Sequence, residues 1–311
     1  MRNLSITKHR PEIVMVTGGN GQLGSDLVES LLNIGYEVLP KTHLQFDITQ
    51  MQDVKDVIKR EKPNILINTA AFHQVEECEN DPDLAMVVNS SAPAHLAKIC
   101  AERGIRFVHF STDYVFDGKK GSPYTEQDLP APLNTYGKSK YQGEQEILKA
   151  NPDALIIRIS AIYGVQPCRA KKGLNFVRLM MKLADEQGKV KVVDDEFVSP
   201  TSTLSIARMM PSILDSPAKG IMHLSSEGSC SWYEFAKEIF HLSGRDKVEL
   251  TPVKSTAFPA KVARPAYSVL QNQYLSQLGL PPMPHWKESL EEYIHLIEER
   301  QRPSYPSQLH K

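Results

Sequence analysis

A chain of 311 residues, 41% hydrophobic and 23% charged, is long enough for one large α/β domain or for a main domain with a smaller companion, and core burial is not limiting. A formal charge of −1, with no basic block longer than a few residues, argues against nucleic acid and an anionic membrane as main partners and leaves a small molecule. Cys78, Cys100, Cys168 and Cys230 form no CxxC pair, so no zinc ribbon or disulfide framework is expected, and free thiols in a reducing cytoplasm fit.

The opening "MRNLSITKHRPE" is charged and has no apolar h-region, and "IVMV" after it is too short to span a bilayer, so residues 1–11 read as a loose extension without a signal or anchor. From residue 13, short apolar runs alternate with amphipathic stretches, the pattern of βαβ units on a parallel sheet. Strands are predicted at 13–18, 36–40, 64–70, 106–112 and 154–160, with helices near 22–34, 50–61, 83–103 and 134–150. Beyond 160 the rhythm loosens: a helix near 174–187, the strand "KVKVVD", a helix near 203–215, the strand "GIMHLSS", and helices near 231–243 and 286–299. Prolines gather between 252 and 284, which suggests a smaller, loop-rich region over the carboxyl edge of the sheet. The expected fold is thus α/β, a Rossmann-type doubly wound parallel sheet with a smaller C-terminal substrate-binding region. The dinucleotide-binding domain is placed at 12–160, with segments near 190–225 returning to it, the substrate region mainly at 161–300, and a loose end at 301–311.

Two stretches carry chemistry. "VTGGNGQLGSDL" follows the first strand and opens a helix, spacing Gly18, Gly21 and Gly24 by threes. Glycine at these points permits a tight turn, close approach of backbone to a pyrophosphate, and close packing of helix on sheet. A ligand-free glycine turn is the plain alternative. In "NTYGKSKYQGE", Tyr136 and Lys140 lie four apart and share one helix face, which by itself distinguishes neither chemistry from packing. No HxxxH spacing occurs, and no metal site is expected.

Taken together, "TGGNGQLG", "NTAAFHQVEECE", "STDYVFDG", "PYTEQDLPAPLNTYGKSKYQGE", "VVDDEFVSPT" and "RPAYSVL" make the chain resemble an extended short-chain dehydrogenase/reductase, more narrowly the dTDP-4-dehydrorhamnose reductase family, from about residue 12 to 298. That resemblance implies NADPH or NADH as cofactor, a nucleotide-sugar substrate, and reduction of a 4-keto group. Tyr136 and Lys140 match the YxxxK pair and Thr112 the hydroxyl residue ending the fourth strand, giving a catalytic trio. A nearby ammonium favours phenolate, so Lys140 is expected to pull the Tyr136 phenol from ~10 toward neutrality. It is also expected to hold the nicotinamide ribose.

By the same resemblance, Gln22 and Leu23 lie beside the pyrophosphate, Asp47 and Ile48 near the adenine, and Ala70 and Ala71 along the ribose and nicotinamide. Asp47 also reads as a helix cap and the alanines as plain core. Asn89 matches an asparagine that distorts the fourth helix, a solvated helix residue being the alternative. The second strand ends without an acidic residue for a ribose 2′-hydroxyl, while Lys41 or His43 suits a 2′-phosphate, which favours NADPH. Ser111, Thr112, Tyr114, Asn175 and Arg264 are the implied substrate residues, the last two for phosphates. A homodimer is the assembly this reading allows.

Two positions depart from the family pattern. Ala161 in "RISAIYG" stands where many members have a tryptophan able to stack on the sugar, and Val198 stands where glycine is common. Ala161 keeps open another nucleotide-sugar reductase or epimerase, and also a non-catalytic subunit similar to the regulatory β subunit of methionine adenosyltransferase.

Overall fold

The structure is a computed structural model describing residues 11–167, 173–258 and 261–301. Cys168 and most of the two loose ends lie outside the described residues; Gln301 is the last residue of a helix.

The first half runs β1 (Ile13–Thr17), α1 (Gln22–Asn33), β2 (Glu37–Lys41), α2 (Met51–Glu61), β3 (Ile65–Asn68), α3 (Val75–Asn80), α4 (Pro82–Met86), α5 (Ala92–Arg103), β4 (Arg106–Thr112), α6 (Thr135–Ala150) and β5 (Leu155–Ile159). The long helix expected near 83–103 is thus interrupted. Asp81 starts α4 by accepting from the Leu84 N–H, with Pro82 in the first turn where a missing N–H costs nothing. Between α4 and α5, Val87–Ser91 form a π-helical turn. Pro93 has no N–H to offer the carbonyl of Asn89 four residues back, so the α ladder is broken at that point.

The second half adds β6 (Ile162–Tyr163), α7 (Phe176–Gln187), β7 (Lys189–Val193), β8 (Phe197–Val198), β9 (Thr201–Ser202), α8 (Thr203–Leu214), β10 (Gly220–His223), β11 (Cys230–Ser231), α9 (Trp232–Leu242), β12 (Glu249–Val253), α10 (Gln273–Gln277) and α11 (Trp286–Gln301). The main sheet has six parallel strands among the described residues, in the order β2-β1-β3-β4-β5-β10. The winding reverses between β1 and β3, which opens a crevice at their carboxyl ends where ligands of doubly wound sheets bind.

Both faces of that sheet are covered, which is why its strands read as unbroken apolar runs. Strand alternation sends Val14 and Val16 to the face packed by Leu27, Leu31, Ile206 and Met210 of α1 and α8. Met15 points to the other face, with Val54, Ile58, Leu96 and Ile147 of α2, α5 and α6. A separate core joins α7, α9 and α11 through Val177, Met181, Phe235, Ile239, Leu290 and Ile294. The short pairs β6 with β9, β8 with β11 and β7 with β12 stand outside the main sheet. β12 is not predicted because Pro252 lies inside it; a two-stranded pair leaves one edge free, where a proline is tolerated.

Candidate active site

The glycine loop sits at the crevice. Gly18 has φ +66, and a Cβ there would meet the Thr69 hydroxyl at 2.7 Å. Gly24 is more confined: its Cβ would lie 2.2 Å from the Gly18 carbonyl oxygen, a backbone atom that cannot step aside. The Gly21 N–H closes the turn on the Gly18 carbonyl at 2.8 Å. The first turn of α1 carries neither an acidic residue nor a side-chain cap, leaving its N–H groups and positive dipole end to a ligand. These residues fit a dinucleotide's pyrophosphate.

Beside this turn a groove of about 450 Å³ is lined by Gly19, Asn20, Pro40, Thr42 and Gln45 among others. Of the two residues suggested for a 2′-phosphate, Lys41 is spoken for: its Nζ lies 2.7 Å from Glu61 and both side chains are largely buried. His43 remains, 78% exposed. Gln22 turns its amide onto the carbonyls of Gly164 and Gln166 at 3.2 and 3.1 Å, fastening the glycine loop to the segment after β6. Leu23 and Ile48 are buried in the core, leaving only their backbone for a cofactor. Asp47 holds the turn into α2 by accepting from the Thr49 N–H and hydroxyl at 3.0 and 2.8 Å, and these bonds keep its carboxyl below the ordinary range although partial burial opposes them. Ala70 and Ala71 are half-buried just past β3.

Asn134 caps α6 by accepting from the Gly137 N–H, and this fixes the helix start. The helix then lies unusually close to its neighbours. A Cβ on Gly137 would sit 2.2 Å from the Tyr114 carbonyl oxygen and one on Gly143 2.1 Å from that of Asn89. Asn89 is fully buried in the π turn; its amide donates to the Phe72 carbonyl at 2.8 Å and to Ser139 Oγ at 3.0 Å, and it accepts from the Phe72 N–H at 2.9 Å. It is therefore not a solvated helix residue: from within the π turn it clamps the chain after β3 against α6.

Tyr136 is hydrogen-bonded to the Thr112 side chain, and its ring meets Tyr114 edge-on at 5.6 Å. Thr112 Oγ1 also donates to Asp113 at 3.0 Å and accepts from the Tyr114 N–H at 3.2 Å. The phenol is raised well above its ordinary value, chiefly by burial, against the lowering effect of Thr112. This reverses the expected direction. Lys140 is engaged by β4, its Nζ donating to the Phe110 carbonyl at 2.6 Å and lying 3.0 Å from His109 Nε2. Burial lowers it to about 8, opposed by Glu144.

Several implied substrate residues are engaged elsewhere. Ser111 donates to Glu144 at 2.5 Å, and Glu144 is held by Arg158 at 2.6 Å in a pair 2–3% exposed. Adjacent strand residues face opposite ways, so Ser111 cannot join Thr112 at the site. Asn175 caps α7 through the Arg178 N–H at 3.0 Å and donates to Gly164 and Tyr293, each at 2.9 Å. All its polar atoms are used, which removes it as a phosphate ligand. Arg264 is exposed and acts electrostatically on Tyr114, lowering it, although burial carries that phenol up to about 12.

Asp113, which sequence reasoning passed over inside "STDYVF", is buried next to Thr112 and accepts from Ser160 and Ser268 hydroxyls at 3.0 and 2.6 Å. Burial raises its carboxyl despite these bonds. Ala161 takes φ +43, strained for a residue with a Cβ, on the segment that follows β5. Val198 is buried in β8, opposite Cys230.

Residues 12–299 match the family model described as the RmlD substrate binding domain. The chain is 40% identical to the spore coat polysaccharide biosynthesis protein SpsK of Bacillus subtilis, over 90% of this chain and 96% of that one. It is 36% identical to dTDP-4-keto-6-deoxy-D-glucose reductase of Streptomyces niveus, over 91% and 96%. The crystal structure of dTDP-4-dehydrorhamnose reductase from Bacillus anthracis in complex with NADP superposes with a TM-score of 0.87 at 38% identity, covering 92% of this chain and 100% of that one.

Proposed function

Because the chain belongs to the RmlD substrate binding domain family, we propose that it reduces the 4-keto group of a nucleotide-linked 6-deoxysugar with NADPH, most simply dTDP-4-dehydro-L-rhamnose to dTDP-L-rhamnose. The observation that carries this reading is the meeting of Thr112, at the carboxyl end of β4, with Tyr136, in the first turn of α6, on the sheet edge that also bears the glycine turn.

When bound, the nicotinamide supplies a hydride to the carbonyl carbon. The residues of the chain do the rest. Tyr136 is protonated at neutral pH, since burial holds its phenol above the ordinary value, and gives that proton to the carbonyl oxygen. Thr112 hydrogen-bonds the phenol and orients it. The glycine turn and the first turn of α1 receive the pyrophosphate, and Lys140 takes the ribose once it leaves His109. NADPH rather than NADH is supported by the exposed His43 at the end of β2 and by the NADP held in the Bacillus anthracis protein. Tyr114 and Arg264 remain as contacts for the sugar nucleotide.

The test is loss of absorbance at 340 nm with NADPH and a panel of 4-keto-6-deoxy nucleotide sugars. Net oxidation supports a reductase; turnover without it means an epimerase. No turnover on the whole panel, with co-purification of a synthetase, would favour the non-catalytic subunit that Ala161 keeps in view. A homodimer, to be measured by light scattering, and a cytoplasmic setting belong to the same proposal. Cys78, Cys100 and Cys230 are free, and among the described residues no helix is long and apolar enough to cross a membrane.

A further inference from the structure

Behind the Tyr136 site runs a line of polar side chains, Thr17, Asn68, His109 and Lys140, each no more than 1% exposed. Thr17 Oγ1 donates to Asn68 Oδ1 at 2.5 Å, and the Ala70 backbone N–H donates to the same oxygen at 3.2 Å. A backbone N–H can only donate, so the Asn68 amide must face Ala70 with its oxygen and His109 with its NH2. Asn68 Nδ2 lies 2.9 Å from His109 Nδ1, which is therefore the bare nitrogen of the ring. A neutral imidazole then carries its proton on Nε2, and that N–H points at Lys140 Nζ, 3.0 Å away.

Lys140 Nζ already donates to the Phe110 carbonyl at 2.6 Å. An ammonium has three N–H groups and no lone pair, so it cannot accept from His109; an amine can. Only the neutral amine satisfies every contact in the line.

We propose that His109 is a positioning residue for Lys140: fixed by Asn68 as the Nε2–H tautomer, it receives Lys140 only as the amine, so a proton taken from solvent onto Nζ breaks this contact and frees the ammonium for Tyr136, one turn back on the same helix face. The proposal rests on the reductase reading for the role of Tyr136. Charge and position of Lys140 change together, and the cofactor-side strand β3 sets both through a single amide. Two titratable groups act on Lys140: His109 from β4, and Glu144 from its own helix, whose carboxylate favours the ammonium but is also engaged by Arg158 and Ser111. Burial is the main reason the imidazole stays neutral, and whenever Lys140 is an ammonium its charge opposes a proton on His109 as well.

The test is nitrogen NMR on the full chain carrying 15N-histidine and 15N-lysine. The His109 signals, assigned by their loss in His109→Gln, are expected to show a bare Nδ1 and a protonated Nε2 between about pH 6 and 9. Asn68→Asp offers Nδ1 an acceptor, moves the ring proton to Nδ1 and bares Nε2, which then accepts from the ammonium. The Lys140 protonation equilibrium should shift at least about tenfold toward the ammonium, and the pH profile of kcat/KM should move upward with it. A protonated Nδ1 in the unmodified protein, or an unmoved Lys140 titration in a folded Asn68→Asp, overturns the proposal. The tautomer measurement needs no variant to fold beyond the assignment and no turnover, so a chain that reduces no sugar refutes the reductase reading while leaving the His109 result to be decided by itself.

Discussion

Replacing Tyr136 by phenylalanine separates chemistry from packing. The substitution removes one hydroxyl whose recorded partner is the Thr112 side chain. Thr112 keeps its bonds to Asp113 and to the Tyr114 N–H, so no buried group is orphaned. The ring stays edge-on to Tyr114. The cost in stability is that of one hydrogen bond, about 1 kcal/mol, which for a chain of this length is a fall of roughly 1–2 °C in melting temperature. Loss of the proton donor has another scale: general acid catalysis contributes about 10²–10⁴-fold, or roughly 3–5 kcal/mol of barrier. The assay pairs NADPH oxidation under saturating keto sugar with a thermal melt and a fluorescence titration of NADPH. The expected result is kcat reduced by about 10²–10⁴ with cofactor affinity within a few-fold and a small thermal shift. Full kcat, or a melting temperature that falls steeply together with kcat, would refute Tyr136 as the donor.

Gly24→Ala should abolish cofactor binding and destabilise by about 1–3 kcal/mol, because its Cβ would meet the Gly18 carbonyl at 2.2 Å; unchanged NADPH affinity by titration would show that the turn does not hold the pyrophosphate. Lys140 is expected to give a pH signature in stability. Its folded value of about 8 lies below the ordinary 10.5, so between these pH values the unfolded chain binds more protons, and stability rises by up to about 3 kcal/mol from this group as pH climbs. Urea unfolding of Lys140→Met should show that rise missing, and an identical pH dependence in both proteins would contradict the burial of an amine.

Legibility in the sequence follows how local each determinant is. The parallel strands and most helices are readable because burial on both faces leaves apolar runs between turn residues, and the glycine turn is readable because Gly21 and Gly24 are crowded by Gly18 within the same seven residues. The direction of a side chain at a strand end is not local information. Ser111 and Thr112 are both implied by resemblance, yet alternation sends one to the Glu144–Arg158 pair and the other to Tyr136. Lys41 and Asn175 are misread for a related reason, since Glu61 and Tyr293, which occupy them, lie 20 and 118 residues away.

The same reasoning explains why His109 and Asn68 escape notice. They sit inside "RFVHFST" and "NILINTA", runs that read as strand, and their meaning comes from neighbours 41 residues apart on adjacent strands. The expectation that Lys140 lowers Tyr136 assumes a fixed ammonium at a fixed place. The Asn68 amide makes both conditional: while the Ala70 N–H holds its oxygen, the lysine beside His109 has to be an amine and has no charge to lend the phenol. Tyr136 therefore stays protonated and ready to donate, and a phenolate becomes accessible only after Lys140 has gained a proton and left His109. Reprotonation of the site and movement of the lysine are one event on this account, so a substitution at Asn68, remote from the reacting carbonyl, should change the pH at which the enzyme works more than the rate it reaches.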